Sequence, residues 1–70
     1  MNTEDLEKLK KKLPRGYRQM LIERTGYSLP AIDSVLRGDY MNERILDAAI
    51  KLAQEHQEKL KNYSEKINSI

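Results

Sequence analysis

Residues 18–38 read Arg18-QMLIERTGYSLPAIDSVLR-Gly38, and the fold turns on them. Leu21 lies ahead of Gly26, a glycine that can end a helix by taking a positive φ. Gly26, Tyr27 and Ser28 then make a short turn. Leu29, Ile32, Val35 and Leu36 follow at helical spacing, and Gly38 closes this second segment as Gly26 closes the first. The spacing predicts one helix from about Tyr17 to Thr25, with Tyr17, Met20 and Leu21 inward, and another starting between Ser28 and Pro30. Ser28 suits its N-cap, and a proline is tolerated in the first helical turn because the N–H it lacks would have no helical partner there. Two helices joined by so short a link meet at roughly 90–120°, and Tyr27 can plug the corner between them. Ile32 and Val35 then hold the second helix on the first and turn its opposite side outward.

On the N-terminal side, Leu6, Leu9 and Leu13 recur at helical spacing, with Asn2 or Thr3 as N-cap. Pro14 ends that helix near Leu13, because the residue before a proline is pushed out of the helical region. On the C-terminal side, Asp39-Tyr40-Met41-Asn42 makes a link, with Asn42 the cap of a helix that meets no Gly or Pro and runs to at least Tyr63. Ile45, Leu46, Ala49, Ile50 and Ala53 form a broad apolar face suited to a core. Beyond it the pattern narrows: Leu46, Ala49, Ala53, His56, Leu60, Tyr63, Ile67 and Ile70 step by three and four residues, a coiled-coil-like seam. The expected fold is therefore all-α: a small helical bundle of four helices containing a helix-turn-helix, with a long C-terminal helix. It is a single domain over residues 1–70, with its core at about 3–55 and a helical extension at about 56–70.

Seventy residues lie near the lower limit for a self-sufficient core, so tight packing or a partner chain is expected to help. No cysteine is present, which excludes disulfides and thiolate chemistry and fits a reducing, cytoplasmic setting. No apolar run approaches the ~18 residues that span a bilayer, so no membrane role is expected, and the N-terminus lacks the apolar stretch of a secretory signal. The net charge is only +2, but Lys8, Lys10, Lys11, Lys12, Arg15, Arg18 and Arg24 face only Glu23 between residues 8 and 24, a local charge of 7 − 1 = +6. Such a cluster attracts a polyanion. A basic amphipathic membrane-surface helix over Leu6 to Leu13 has too few large apolar residues to hold a bilayer well.

GYSLPAIDSVLRGDY, residues 26–40, resembles the turn and recognition helix of the lactose-repressor and phage Cro/repressor helix-turn-helix proteins. Their pattern, G-hydrophobic-S-x-x-x-V-x-x-V-hydrophobic-x-G, is met at Gly26, Tyr27, Ser28, Ile32, Val35, Leu36 and Gly38. Arg44-ILDAAIKLAQEH resembles the helix that follows in both groups, so the likeness spans about residues 17–54. Two positions depart from the pattern. Ile22 stands where the family usually has alanine, which implies a wider or rotated helix crossing, and Pro30 and Asp33 stand on the recognition helix.

The resemblance implies a DNA-binding, repressor-like transcription regulator whose partner is double-stranded DNA. Ser28, Leu29, Pro30, Asp33, Ser34 and Arg37 would face the major groove, where a short helix fits and base edges differ. Arg37 could hold a guanine or a phosphate, Ser34 either, and Leu29 a thymine methyl. Asp33 repels phosphates but can accept from cytosine N4 or pair with Arg37 one turn on. Arg15, Tyr17, Arg18 and Gln19 would meet the phosphate backbone at a helix start with free N–H groups, and Tyr40 and Asn42 would hold the opposite strand. A homodimer through the C-terminal helix would set two recognition helices about one DNA turn apart. The alternative is a helix-turn-helix protein-interaction or dimerisation module without sequence-specific DNA binding. Catalysis, cofactors and metals are not expected. His56 is the only histidine and sits on a regular helix, where it is read as a seam or surface residue, and no phosphate-cradling glycine loop occurs.

Overall fold

A computed structural model describes residues 3–69. Four helices and no strands occur among them: α1 (Thr3–Lys12), α2 (Tyr17–Thr25), α3 (Leu29–Arg37) and α4 (Glu43–Asn68). The chain is an all-α bundle with a long last helix. Thr3 is the first residue of α1 rather than its cap, and the alternative cap, Asn2, lies outside the described residues, as does Ile70 at the end of the seam.

The helix ends are local chemistry. Gly26 sits at φ 76°, and its N–H donates to the carbonyl of Ile22 at 2.8 Å, the single-bond left-handed cap. Gly38 sits at φ 89°, with its own N–H donating to Val35 and that of Asp39 to Ser34, the two-bond Schellman arrangement. A Cβ added to Gly38 would also lie 3.2 Å from Leu6 Cδ1, so this cap doubles as the floor for α1. Asn42 begins α4: its Oδ1 accepts from the N–H groups of Arg44 at 3.0 Å and Ile45 at 3.3 Å. Ser28 stands at the N-cap position of α3 in extended backbone, but its hydroxyl makes no capping bond.

The core is apolar. Leu6 and Leu13 from α1 and its end, Leu21 from α2, Ile32, Val35 and Leu36 from α3, and Ile45, Leu46, Ala49, Leu52 and Ala53 from α4 are buried together. Leu9, Tyr17, Ile22 and Tyr27 pack half-buried at its margin. Helix α4 packs on the other three, and α3 packs on both α1 and α2, while the backbones of the described parts of α1 and α2 stay apart. They therefore flank the α3–α4 pair. Arg24 fastens α2 to α4 through two contacts with Glu55, Nη1–Oε2 at 2.7 Å and Nη2–Oε1 at 3.2 Å.

Several inward assignments need correcting. Met20 is 39% exposed, so it is not core. Met20 lines a groove between α2 and α4 together with Leu52 and His56. Ile50 is only half-buried, and Leu52 takes the buried place the apolar stripe did not include. The reason is that α2 lies along that flank of α4 and widens the covered face. His56 is half-buried in the same groove. Past it, Leu60, Tyr63 and Ile67 continue the inward line of α4 but are exposed. At 1.5 Å per residue the 26-residue helix is about 39 Å long in a molecule 45 Å on its longest axis, so its last turns outrun the bundle.

Candidate nucleic-acid interface

Helix α3 divides cleanly into two sides. Ile32, Val35 and Leu36 are buried beneath it, whereas Ser28, Leu29, Pro30 and Arg37 are exposed and Asp33 and Ser34 half-exposed. That division follows from sequence spacing, since positions three and four apart share a face. The turn that aims this helix is tied by Thr25. Its hydroxyl donates to the carbonyl of Leu21 at 2.6 Å and accepts from the N–H of Tyr27 at 3.3 Å. Sequence reading ended α2 at Thr25 without giving it this role. The signal was present, because a threonine in the last helical turn can bond back to the carbonyl four residues earlier.

The start of α2 lies beside α3. Arg15 is exposed, Tyr17 half-buried against the core, and the Arg18 guanidinium lies 5.1 Å from the centre of the Tyr17 ring. Arg18 Nε donates to Asp33 Oδ1 at 2.9 Å. That hydrogen bond is the main reason the Arg18 pKa rises further above its ordinary value, so Arg18 is a permanent cation. Gln19 reaches Glu23 along its own helix at 3.5 Å. Gly16 precedes α2 and supplies no side-chain cap, and neither α2 nor α3 has an acidic residue in its first turn. By contrast, α1 carries Glu4 and Asp5 there, and α4 carries Glu43 behind the Asn42 cap.

Asp33 does not pair with Arg37 one turn on. It bridges to Arg18 of α2, and Arg37 instead approaches Asp39, Nε to Oδ2, at 3.5 Å. The Arg18 guanidinium spans the α2–α3 gap to Asp33, and the left-handed turn at Gly38 leaves Asp39 near Arg37.

The basic stretch also separates in space. Arg24 is spent on Glu55, whose carboxyl it holds below the usual glutamate range. Lys8 and Lys12 line a groove of about 510 Å³ between α1 and α4. Lys10 and Arg18 of that stretch stand beside α3. With Tyr17, Asp33, Leu36 and Arg37 they line a cleft of about 130 Å³ where the end of α1, the start of α2 and the end of α3 converge. Lys10 is the member sequence reading did not single out, because its place depends on how α1 packs on α3.

Of the other expected residues, Ser28, Leu29 and Pro30 lie at the N-terminal end of α3 and do not line this cleft, where the first lining residue of α3 is Asp33. Tyr40 is exposed and lines a different depression, with Leu6, Gly38 and Met41. Asn42 spends its side-chain oxygen on the cap of α4, which leaves its amide N–H groups as donors to an anion. Among the described residues no group of three or more His, Cys, Asp or Glu side chains could hold a metal ion, and no helix is long and apolar enough to cross a membrane. Comparison with protein-family models, with curated proteins and with solved structures finds no match.

Proposed function

We propose that the protein is a DNA-binding regulator of the helix-turn-helix type, with α3 entering the major groove and α2 crossing the phosphate backbone. The observation that carries this reading is the outer side of α3. Ser28, Leu29, Pro30 and Arg37 are exposed and Asp33 and Ser34 half-exposed along it, Arg18 of α2 reaches it through its ion pair with Asp33, and Ile32, Val35 and Leu36 are buried beneath it. A helix held from below, with polar side chains on its open side, is what a groove about 12 Å wide can admit.

The helix ends add support. The two helices that would meet phosphates are those without a side-chain cap or first-turn carboxylate, so their N–H groups and positive dipole ends stay open to an anion. Arg37 and Ser34 are the base-reading candidates. Leu29 offers an apolar contact for a thymine methyl, and Arg15, Tyr17, Arg18 and Gln19 are the backbone contacts.

A single unit of this size binds duplex weakly, with a nonspecific dissociation constant of about 10⁻⁴–10⁻⁶ M, so pairing would help it. Leu60, Tyr63 and Ile67 supply an apolar stripe for a second copy.

The test is duplex binding followed by fluorescence anisotropy across a salt series. With three to six phosphate contacts, log K should fall against log salt with a slope of about −2.7 to −5.4. Arg37→Ala should weaken binding and relax preference at one base pair in a selection from random duplexes. A chain that leaves duplex unbound at about 50 mM salt would be an interaction module instead.

A further inference from the structure

The cleft between α1, α2 and α3 holds more positive charge than its own carboxylate balances. Lys10, Arg18 and Arg37 line this cleft of about 130 Å³ with Asp33 as the one anion among the lining residues, and Asp39 just outside it lies 3.5 Å from Arg37, a charge of 3 − 2 = +1 that leaves Lys10 as the unbalanced cation. Lys10 makes no ion pair with any described residue. Arg18 gives its Nε to Asp33 at 2.9 Å, but this pair is open to water, with the two side chains 56% and 34% exposed. Exposed pairs of this kind are weak and exchange readily. To a guanidinium, a carboxylate and a phosphate are alike, each a planar or tetrahedral set of anionic oxygens taking the same fork of donors.

We infer that this cleft seats one phosphodiester of a nucleic-acid backbone, with Lys10 as a ligand and Asp33 as a built-in competitor that occupies Arg18 until the phosphate displaces it. The inference rests on the DNA-binding reading above and deepens it. Asp33 then acts as a brake. The Asp33 carboxylate offsets one positive charge of the cleft whether or not Arg18 stays on it, so the cleft presents one charge fewer to the backbone and the salt dependence loses about one ion. Removing the carboxylate should uncover the full contact.

The experiment measures binding of wild type, Asp33→Asn, Lys10→Gln and Lys51→Gln to a 20-base-pair duplex over a salt series, with thermal unfolding of each as a check on the fold. Lys51 is exposed on α4, outside the cleft. One contact is worth a slope of about 0.9, or about eightfold in affinity near 0.1 M salt, shrinking to nothing towards 1 M. Asp33→Asn should therefore bind about eightfold tighter at 0.1 M salt with a slope steeper by about 0.9, and Lys10→Gln about eightfold weaker with a slope shallower by about 0.9. Lys51→Gln should match wild type. Inorganic phosphate, added alone to Asp33→Asn, should shift the NMR signals of Lys10, Arg18 and Arg37.

Three results would overturn the inference while leaving DNA binding intact. The first is equal slopes for wild type, Asp33→Asn and Lys10→Gln. The second is a changed base preference in Asp33→Asn without a steeper slope, which would make Asp33 a base reader. The third is a cleft that takes free phosphate while the duplex slopes stay put, which would make it a small-anion site only. No duplex binding by wild type at low salt would remove the functional reading, and this inference with it.

Discussion

The two halves of α4 carry one apolar stripe and meet two fates. Ile45, Leu46, Ala49 and Ala53 in the first half are buried under α1, α2 and α3, while Leu60, Tyr63 and Ile67 continue the same line into solvent. Periodicity therefore reports which side of a helix could be covered. Whether anything covers it depends on how far the neighbouring helices reach. Here the Gln57 side chain of α4 donates to the Lys12 carbonyl at the end of α1, at 3.3 Å, and Glu55 holds Arg24 of α2. Beyond those contacts the helix survives by continuing a turn already formed, which avoids the cost of nucleation. Lys66 over the Tyr63 ring, at 6.0 Å, is a local support.

The sharpest way to break this comparison uses the same residue type in both halves. Ile45→Ala removes a side chain with no exposure and should cost about 2–5 kcal/mol by chemical denaturation, enough to unfold much of so small a domain. Ile67→Ala, at a position 68% exposed, should change the monomer's stability by less than about 0.5 kcal/mol. Similar losses at both positions in a chain shown to be monomeric would mean that the tail packs on its own bundle.

The start of α4 should respond at an intermediate level. Asn42→Ala leaves two N–H groups without their side-chain acceptor and should lower stability by about 1 kcal/mol, read as a shift in the thermal midpoint. Asn42→Asp should keep most of that stability, since a carboxylate accepts the same bonds and suits the helix dipole.

Removing the chain after Glu58 sharpens the contrast further. The shortened protein should keep the fold of its bundle, because no buried side chain is lost among the described residues. If the exposed stripe pairs two copies as proposed, solution mass should fall from that of a dimer to that of a monomer. Equal masses before and after truncation would eliminate the stripe as a self-association surface.

The smallest effect belongs to the tie just before the free half. Arg24 lowers the Glu55 pKa through the paired hydrogen bonds. A carboxyl lowered in the folded state adds stability above its unfolded pKa, about 4.3, and loses it as pH falls through the lowered folded value. Arg24→Gln should return the Glu55 carboxyl carbon titration toward 4.3 and flatten the acid side of the stability profile slightly.

The bundle's boundaries were readable because their causes are local. Gly26 and Gly38 supply positive φ, Pro14 bars helix in its neighbour, and Asn42 caps within three residues of itself. The outward set on α3 was legible for the same reason, since a nine-residue helix with Ile32, Val35 and Leu36 inward leaves Asp33, Ser34 and Arg37 outward. Ser28 shows the limit of such reading. It takes the cap position by backbone shape, yet its hydroxyl goes unused.

Sequence by itself thus determined four helices, the ends set by Pro14, Gly26, Gly38 and Asn42, and most of the apolar side of each. Those properties depend on neighbours a few residues away, whereas the places of Met20, Ile50 and Leu52 depended on how α2 lies on α4. Tertiary structure alone decided the partners of the charges. The run of basic residues from Lys8 to Arg24 became a groove rim at Lys8 and Lys12, a cleft wall at Lys10 and Arg18, and a strut at Arg24, while Asp33 turned to Arg18 rather than to Arg37. A charge finds its counter-ion through space, and residues 15 and 31 positions apart become neighbours only when the apolar faces have packed.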